Sequence, residues 1–317
     1  MTILFHDTIS DSHFPSTSHP EHPSRVQKAW KRLDELGLVS RCDMGSASAA
    51  TLEQIARVHT ESTIKRAQDT CARGGGYLDA DTPVESRSFD AALWGAGAGV
   101  AAVDQVISGK DRNSFCLIRP PGHHATRSQS MGFCLFNNIA VAAQHAIDEH
   151  QLERVLIVDW DVHHGNGTQD IFYGDDRVLF FSMHRHPFYP GSGLASETGT
   201  GSGLGYTVNL PIDMQYTADV ILAKFKQSLD RAAVAFKPQL VLISAGFDAH
   251  HRDPIGGLRL DHEHFREMGD MVLDVANEYA DGKVVSMLEG GYNVGVLADC
   301  VADHVRGLLE RSHKHDV

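Results

Sequence analysis

Short apolar runs recur along the chain at Ser114–Ile118, Val155–Asp159, Val178–Met183, Leu240–Ser244 and Val284–Leu288. Runs of this length, rich in Val, Ile and Leu and closed by glycine or polar residues, predict strands buried on both faces, as in a parallel sheet. Longer segments with helical spacing lie between several of them. Phe89–Ile107 is rich in alanine, and its Gly95, Gly97 and Gly99 predict a helix packed close against its neighbours. Asn138–His150, Thr217–Phe236 and His262–Ala280 are amphipathic, the last preceded by Asp261 as an N-cap. Strand–helix alternation without a linker or repeat predicts one α/β domain over residues 1–317, with a mostly parallel sheet and helices on both faces. Arg185–Leu204, with Pro187, Pro190 and many Gly and Ser, reads as a long loop. Loops of that length in compact domains are more often functional than idle.

The polar residues fall where the strands end. VLIVDWDVHHGNGTQ, residues 155–169, passes from an apolar run into Asp159, Asp161, His163 and His164, then turns away at Gly165-Asn166-Gly167. Side-chain alternation in an extended segment would put Asp161 and His163 on one face. A carboxylate and an imidazole form a ligand set for a borderline metal such as zinc. The competing structural reading is a polar loop whose His and Asp satisfy one another. The other strand ends argue against it. They carry Arg119-Pro120-Pro121-Gly122-His123-His124-Ala125, Ser182-Met183-His184, Ser244-Ala245-Gly246-Phe247-Asp248 and Leu288-Glu289-Gly290-Gly291-Tyr292-Asn293. Parallel strands bring five such ends to one rim, where open α/β sheets bind ligands.

Composition narrows the class. The 317 residues are 42% hydrophobic and 22% charged, as in a globular protein with ample core. No apolar stretch is long enough to span a bilayer, and His6 and Asp7 interrupt the N-terminus before a secretory h-region forms. A net charge of -13 argues against nucleic-acid binding through a basic surface. Five scattered cysteines with no CxxC pair predict free thiols in a reducing cytoplasm.

Together these motifs resemble the arginase-like metal-dependent deacetylase family, which comprises histone deacetylases, acetylpolyamine amidohydrolases and their bacterial relatives. The resemblance runs from His22-Pro23-Ser24-Arg25 to Asn293, and the RPPGHHA motif with Asn166 is closer to class II than to class I histone deacetylases. It implies a three-layer fold with a central sheet of about eight strands. It further implies zinc held by Asp161, His163 and Asp248, with Fe(II) or Co(II) as possible substitutes. Three protein ligands leave a position open, as in catalytic rather than structural zinc sites. By the family pattern Asp159 partners His123 and Asn166 partners His124. A neutral amide leaves His124 the easier to deprotonate, which suits it as general base and acid, while His123 supplies electrostatic stabilisation. Tyr292 would donate its phenol to the substrate carbonyl. Gly132, Phe133, Tyr189 and Gly290 would line a narrow substrate tunnel, and Asp81 reads either as an acidic rim residue or as a loop cap. Potassium is implied at Asp159, Ser182 and Met183, with the backbones of Asp161 and His163, and again at Phe172, Asp175, Val178 and Tyr206.

The resemblance thus implies a hydrolase that removes acetyl or related acyl groups from acyl-lysine, in a peptide or protein. Acetylated polyamines and other small amides or esters are the alternative substrates. The absence of a long insertion before Phe89 favours a more open mouth than the polyamine enzymes have. A non-catalytic acyl-binding descendant would have lost Tyr292 or a ligand, and none is missing. A two-manganese arginase site lacks its further carboxylates beside His163. Monomer and oligomer are both compatible with the sequence.

Overall fold

The alternation of apolar runs and helical segments does produce one large sheet. The computed structural model describes residues 1–14, 18–109 and 111–312. Its strands are β1 (Thr2–Phe5), β2 (Asp43–Met44), β3 (Gly75–Tyr77), β4 (Pro83–Glu85), β5 (Asn113–Cys116), β6 (Val155–Asp159), β7 (Val178–Arg185), β8 (Thr207–Ile212), β9 (Leu240–Ala245) and β10 (Val284–Leu288). Eight of them form a sheet in the order β2-β1-β5-β10-β9-β6-β7-β8, with every neighbouring pair parallel. The remaining two, β3 and β4, form a small antiparallel hairpin.

The α-helices are α1 (Ser24–Glu35), α2 (Leu52–Ala56), α3 (Glu61–Ala72), α4 (Ser88–Ile107), α5 (Asn138–His150), α6 (Asn166–Phe172), α7 (Ala218–Phe236), α8 (His262–Tyr279) and α9 (Val294–Ser312). Strand residues alternate between two cores, as a pleated strand requires. Leu156 and Val158 of β6 and Val241 and Ile243 of β9 join a core shared with α1, α7, α8 and α9. Val155, Ile157, Leu240 and Leu242 join the opposite core with α3, α4 and α5. The result is the three-layer arrangement expected. None of the described helices is long and apolar enough to cross a membrane.

The five strands read from the sequence are the five contiguous central ones, β5-β10-β9-β6-β7. Those missed are the edge strands β2 and β8, which are only partly buried, the short hairpin β3–β4, and the four-residue β1, which is buried but lies at the chain's start. Pro211 marks β8 as an edge, since proline is tolerated only on edge strands. Because the central strands are adjacent and parallel, their carboxyl ends form one continuous rim.

The close packing expected of α4 holds at two of its three glycines. A Cβ on Gly97 would strike Ser48 O and come within 2.7 Å of Ala50 N, and one on Gly99 would lie 2.7 Å from Met287 Cε. Gly95 has its nearest neighbour at 3.5 Å, an ordinary contact. Gly97→Ala is therefore expected to cost about 1–3 kcal/mol by overpacking. Gly95→Ala should be neutral or stabilising by up to about 1 kcal/mol through helix propensity. Urea unfolding of the two variants checks this; equal stabilities would contradict it.

Candidate active site

β6 ends at Asp159, and the chain then bends rather than continuing as a strand through residues 160–165. Asp161 and His163 therefore do not meet through strand alternation, as the sequence suggested. Side chains that grip the backbone bring them together. Asp159 Oδ1 accepts from Asp161 N–H (3.1 Å), and Asp161 Oδ1 accepts from His163 N–H (2.9 Å). Asp248, beyond β9, accepts from Val162 N–H at 2.8 Å, and Gly290 N–H, beyond β10, donates to Asp161 Oδ2 at 2.8 Å. Gly246 and Gly290 are required here, because a Cβ at either would overlap the Asp161 carboxylate.

One donor atom each from Asp161, His163 and Asp248 lies within 4.8 Å of the others, all three residues being buried. His163 Nδ1 sits 3.0 Å from Asp161 Oδ1 and 3.2 Å from Asp248 Oδ2. Asp248 Oδ2 is buried and makes no hydrogen bond among the described residues. A buried carboxylate oxygen that has only an imidazole nitrogen at 3.2 Å, poorly aligned for a hydrogen bond, is costly unless a charge completes it. This donor set fits a cation of the zinc class. His164 is excluded from it, since its ring nitrogens pair with Ser192 Oγ (2.8 Å) and Gln169 Oε1 (3.0 Å).

His123 and His124 stand beside these ligands, their rings 4.0 Å apart. His123 Nδ1 contacts Asp159 Oδ2 at 2.9 Å, and His124 Nδ1 contacts Asn166 Oδ1 at 2.8 Å. The two imidazoles are driven in opposite directions. Burial alone would lower His123, but the carboxylates of Asp159, Asp161 and Glu289 outweigh it and hold it well above its ordinary range. Burial, then the positive charges of His123 and His163, push His124 well below. An amide oxygen only accepts, so His124 Nδ1 carries the proton and Nε2 keeps its lone pair. Tyr292 is partly buried and its phenol is raised well above the usual value by desolvation, so it remains a protonated donor.

A cavity of about 200 Å³ reaches this cluster, lined by Asp81, Gly132, Phe133, Phe188, Tyr189, Ile255 and Tyr292 together with His124 and His163. Tyr189 meets His124 edge-on at 5.1 Å. Phe188, which the sequence reading missed, stacks on His163 at 5.1 Å. Asp81 both faces the cavity and caps: its Oδ1 accepts from Gly132 N–H at 3.1 Å, helping to hold Phe133 at φ 68°. Gly290 lies beneath the carboxylates and donates to Asp161. A separate cavity of about 410 Å³ between β8 and α7 has no His, Asp or Glu in its lining.

The residues implied for potassium fall in two neighbourhoods. Asp159 and Ser182 are register partners in β6 and β7, Met183 follows, and Ser182 Oγ contacts His184 Nδ1 at 2.9 Å. Phe172 closes α6, Val178 opens β7 and Tyr206 precedes β8, while the Asp175 carboxylate is paired with Arg177. The carbonyls of Phe172 and Tyr206 already accept from Asp175 and Phe180 N–H.

Several supporting residues escaped the sequence reading. Glu289 Oε2 accepts from Gly122 and His123 N–H (2.7 and 3.2 Å), and desolvation raises its carboxyl to about 7. Asp253 Oδ2 accepts from Tyr292 and Asn293 N–H (2.7 and 3.2 Å), fixing the turn that carries the phenol. Glu21 is buried between Arg25 (2.9 Å) and Arg119 (2.6 Å), and Arg25 also donates to Gly291 C=O at 2.7 Å. Arg25 and Arg119 stood inside motifs singled out by sequence. Asp253 left no signal, being a lone acid in a loop.

Comparison with known proteins agrees with this geometry. The family described as histone deacetylase domain matches residues 19–308. A protein of Archaeoglobus fulgidus named probable deacetylase is 40% identical over 92% of this chain and 81% of its own. A histone deacetylase-like amidohydrolase of Pseudomonas aeruginosa is 38% identical over 90% of this chain and 75% of its own. The crystal structure of the HDA15 HD domain superposes with a TM-score of 0.91 at 36% identity, covering 98% of this chain and 88% of that one. The family is hydrolytic and generally metal-dependent. With its sheet, its rim of polar strand ends and its sequence all pointing the same way, this chain belongs to the histone deacetylase family and is a deacetylase or amidohydrolase.

Proposed function

We propose that this enzyme is a zinc-dependent deacetylase acting on acetyl-lysine in peptides or proteins. The observation that carries the reading is His163 Nδ1 within 3.2 Å of two buried carboxylates, beside a histidine kept neutral by burial and by the charge of its neighbour His123. Asp161, His163 and Asp248 would hold the metal. When bound, it supplies Lewis-acid polarisation of the acyl carbonyl and a lowered pKa for the attacking water. Fe(II) and Co(II) suit the same carboxylate-rich set. Potassium is assigned to the two neighbourhoods around Ser182 and Tyr206, where carbonyl oxygens suit a hard cation.

The chain's own groups then divide the work. His124 Nε2 takes the proton of the attacking water and returns it to the departing lysine amine. His123, held as imidazolium, places a fixed positive charge beside the developing oxyanion. The Tyr292 phenol donates a hydrogen bond to that same oxygen. Phe133, Phe188 and Tyr189 exclude water and pack the methylenes of the substrate arm, and the narrow cavity suits a linear chain. Four of the five unpaired cysteines are buried, which is consistent with a cytoplasmic enzyme.

Three outcomes are expected. Asp248→Ala should lose bound zinc and turnover together, read by elemental analysis and deacetylation of an acetyl-lysine peptide; full zinc-dependent turnover would overturn the ligand assignment. Asn166→Asp places a carboxylate beside His124 and stabilises its imidazolium. The acidic limb of the kcat/KM profile should therefore move upward by about 1–2 pH units. An unmoved limb would remove His124 as the base. Finally, kcat/KM for an acetyl-lysine peptide should exceed that for acetylputrescine and acetylspermidine, and the reverse order would make this a polyamine enzyme.

A further inference from the structure

The carboxyl rim uses only some of the chain's 20 histidines. Two others converge on a single acid at the opposite edge of the sheet. Asp104 Oδ1, in the last turns of α4, lies 2.7 Å from His145 Nε2 and 2.6 Å from His150 Nε2, both on α5. Among the described residues, this is the second group of His, Cys, Asp or Glu whose donor atoms fall within 4.8 Å of one another. Helix α4 leads into β5 and α5 into β6, so both end at the amino edge of the sheet. A strand of five residues puts that edge roughly 15 Å or more from the rim.

We propose that Asp104, His145 and His150 form a second metal site, for a borderline divalent cation of the zinc class. Two imidazole nitrogens and one carboxylate oxygen are a ligand set such cations prefer and hard cations do not. The rigid part is already built, since the His145 side chain is only 8% exposed and packed between the helices. The access is open, since Asp104 is half exposed and His150 a quarter exposed. An ion held at about 2.0–2.1 Å from each ligand needs donor atoms roughly 3.3 Å apart, and the carboxylate, being the most exposed of the three, is the group that can withdraw to make that room. His145 Nδ1 is buried and makes no hydrogen bond among the described residues, so the ring's polar contact is made through Nε2 alone. The neighbouring acids Asp148 and Glu149 are engaged by Arg57 at 3.6 and 2.7 Å. The site is thus a defined donor set rather than part of a diffuse acidic patch. A bound ion would cross-link α4 to α5 and raise stability by mass action.

The test counts metal in the intact chain. At micromolar free Zn²⁺, the wild type should bind two equivalents. Asp161→Ala should bind one, and the His145→Ala/His150→Ala double variant should also bind one. The double variant should keep kcat/KM on an acetyl-lysine peptide within about two-fold of wild type, which also certifies its fold. Zinc should raise the melting temperature of Asp161→Ala but not of the triple variant, and Mg²⁺ should do neither. Equal zinc stoichiometry in the wild type and the double variant would overturn the proposal, as would equal binding of Mg²⁺. Failure of the rim site alone would appear instead as one equivalent in the wild type that the double variant abolishes.

Discussion

The structure is organised around negative charge taken out of water. Asp159, Asp161, Asp248 and Glu289 are all buried at the ends of adjacent strands. An uncompensated buried carboxylate costs several kcal/mol, so each needs donors or a counter-charge. Backbone N–H groups of Asp161, Val162, His163, Gly290, Gly122 and His123 supply the donors. The imidazolium of His123 supplies charge, and the three-residue cluster is a donor set that fits a cation. The glycines at 246 and 290 follow from the same need, because only a residue without a side chain lets the turns approach so closely.

From this arrangement comes the unequal treatment of two neighbouring histidines. His123 is surrounded by carboxylates and stays charged, and its charge in turn lowers His124. The partner of His124 is neutral, and the pull of Asp161 is too weak to restore its proton. Adjacent residues of one loop thereby acquire different acid–base roles at one pH. Around them, Glu21 clamps Arg25 and Arg119, and Arg25 reaches the backbone of the Tyr292 turn. This buried ion network joins the N-terminal segment to the rim. Such a network fixes position well even where its net stabilisation is small.

Much of this was legible in the amino-acid sequence. Central strands advertise themselves because both faces are buried, so β6, β9 and β10 appear as predominantly apolar runs. Parallel connectivity then dictates that their polar ends meet, and the spacing of Asp161, His163, Asp248 and Tyr292 follows the family's order. Edge strands such as β8 did not show, because solvent on one side relaxes the pattern and admits Pro211.

What the sequence determined by itself is the chemistry available: which residue types stand at strand ends, and in what order. Only the tertiary structure decided how they act. It replaced the supposed strand alternation of Asp161 and His163 with a bend held by carboxylate–backbone bonds. It brought Phe188 onto His163, set Asp253 beneath Tyr292, and gathered Asp104, His145 and His150 at the far edge. The reason is physical. Periodicity encodes which face of an element is buried, whereas pairings between loops distant in sequence exist only once the sheet brings them together.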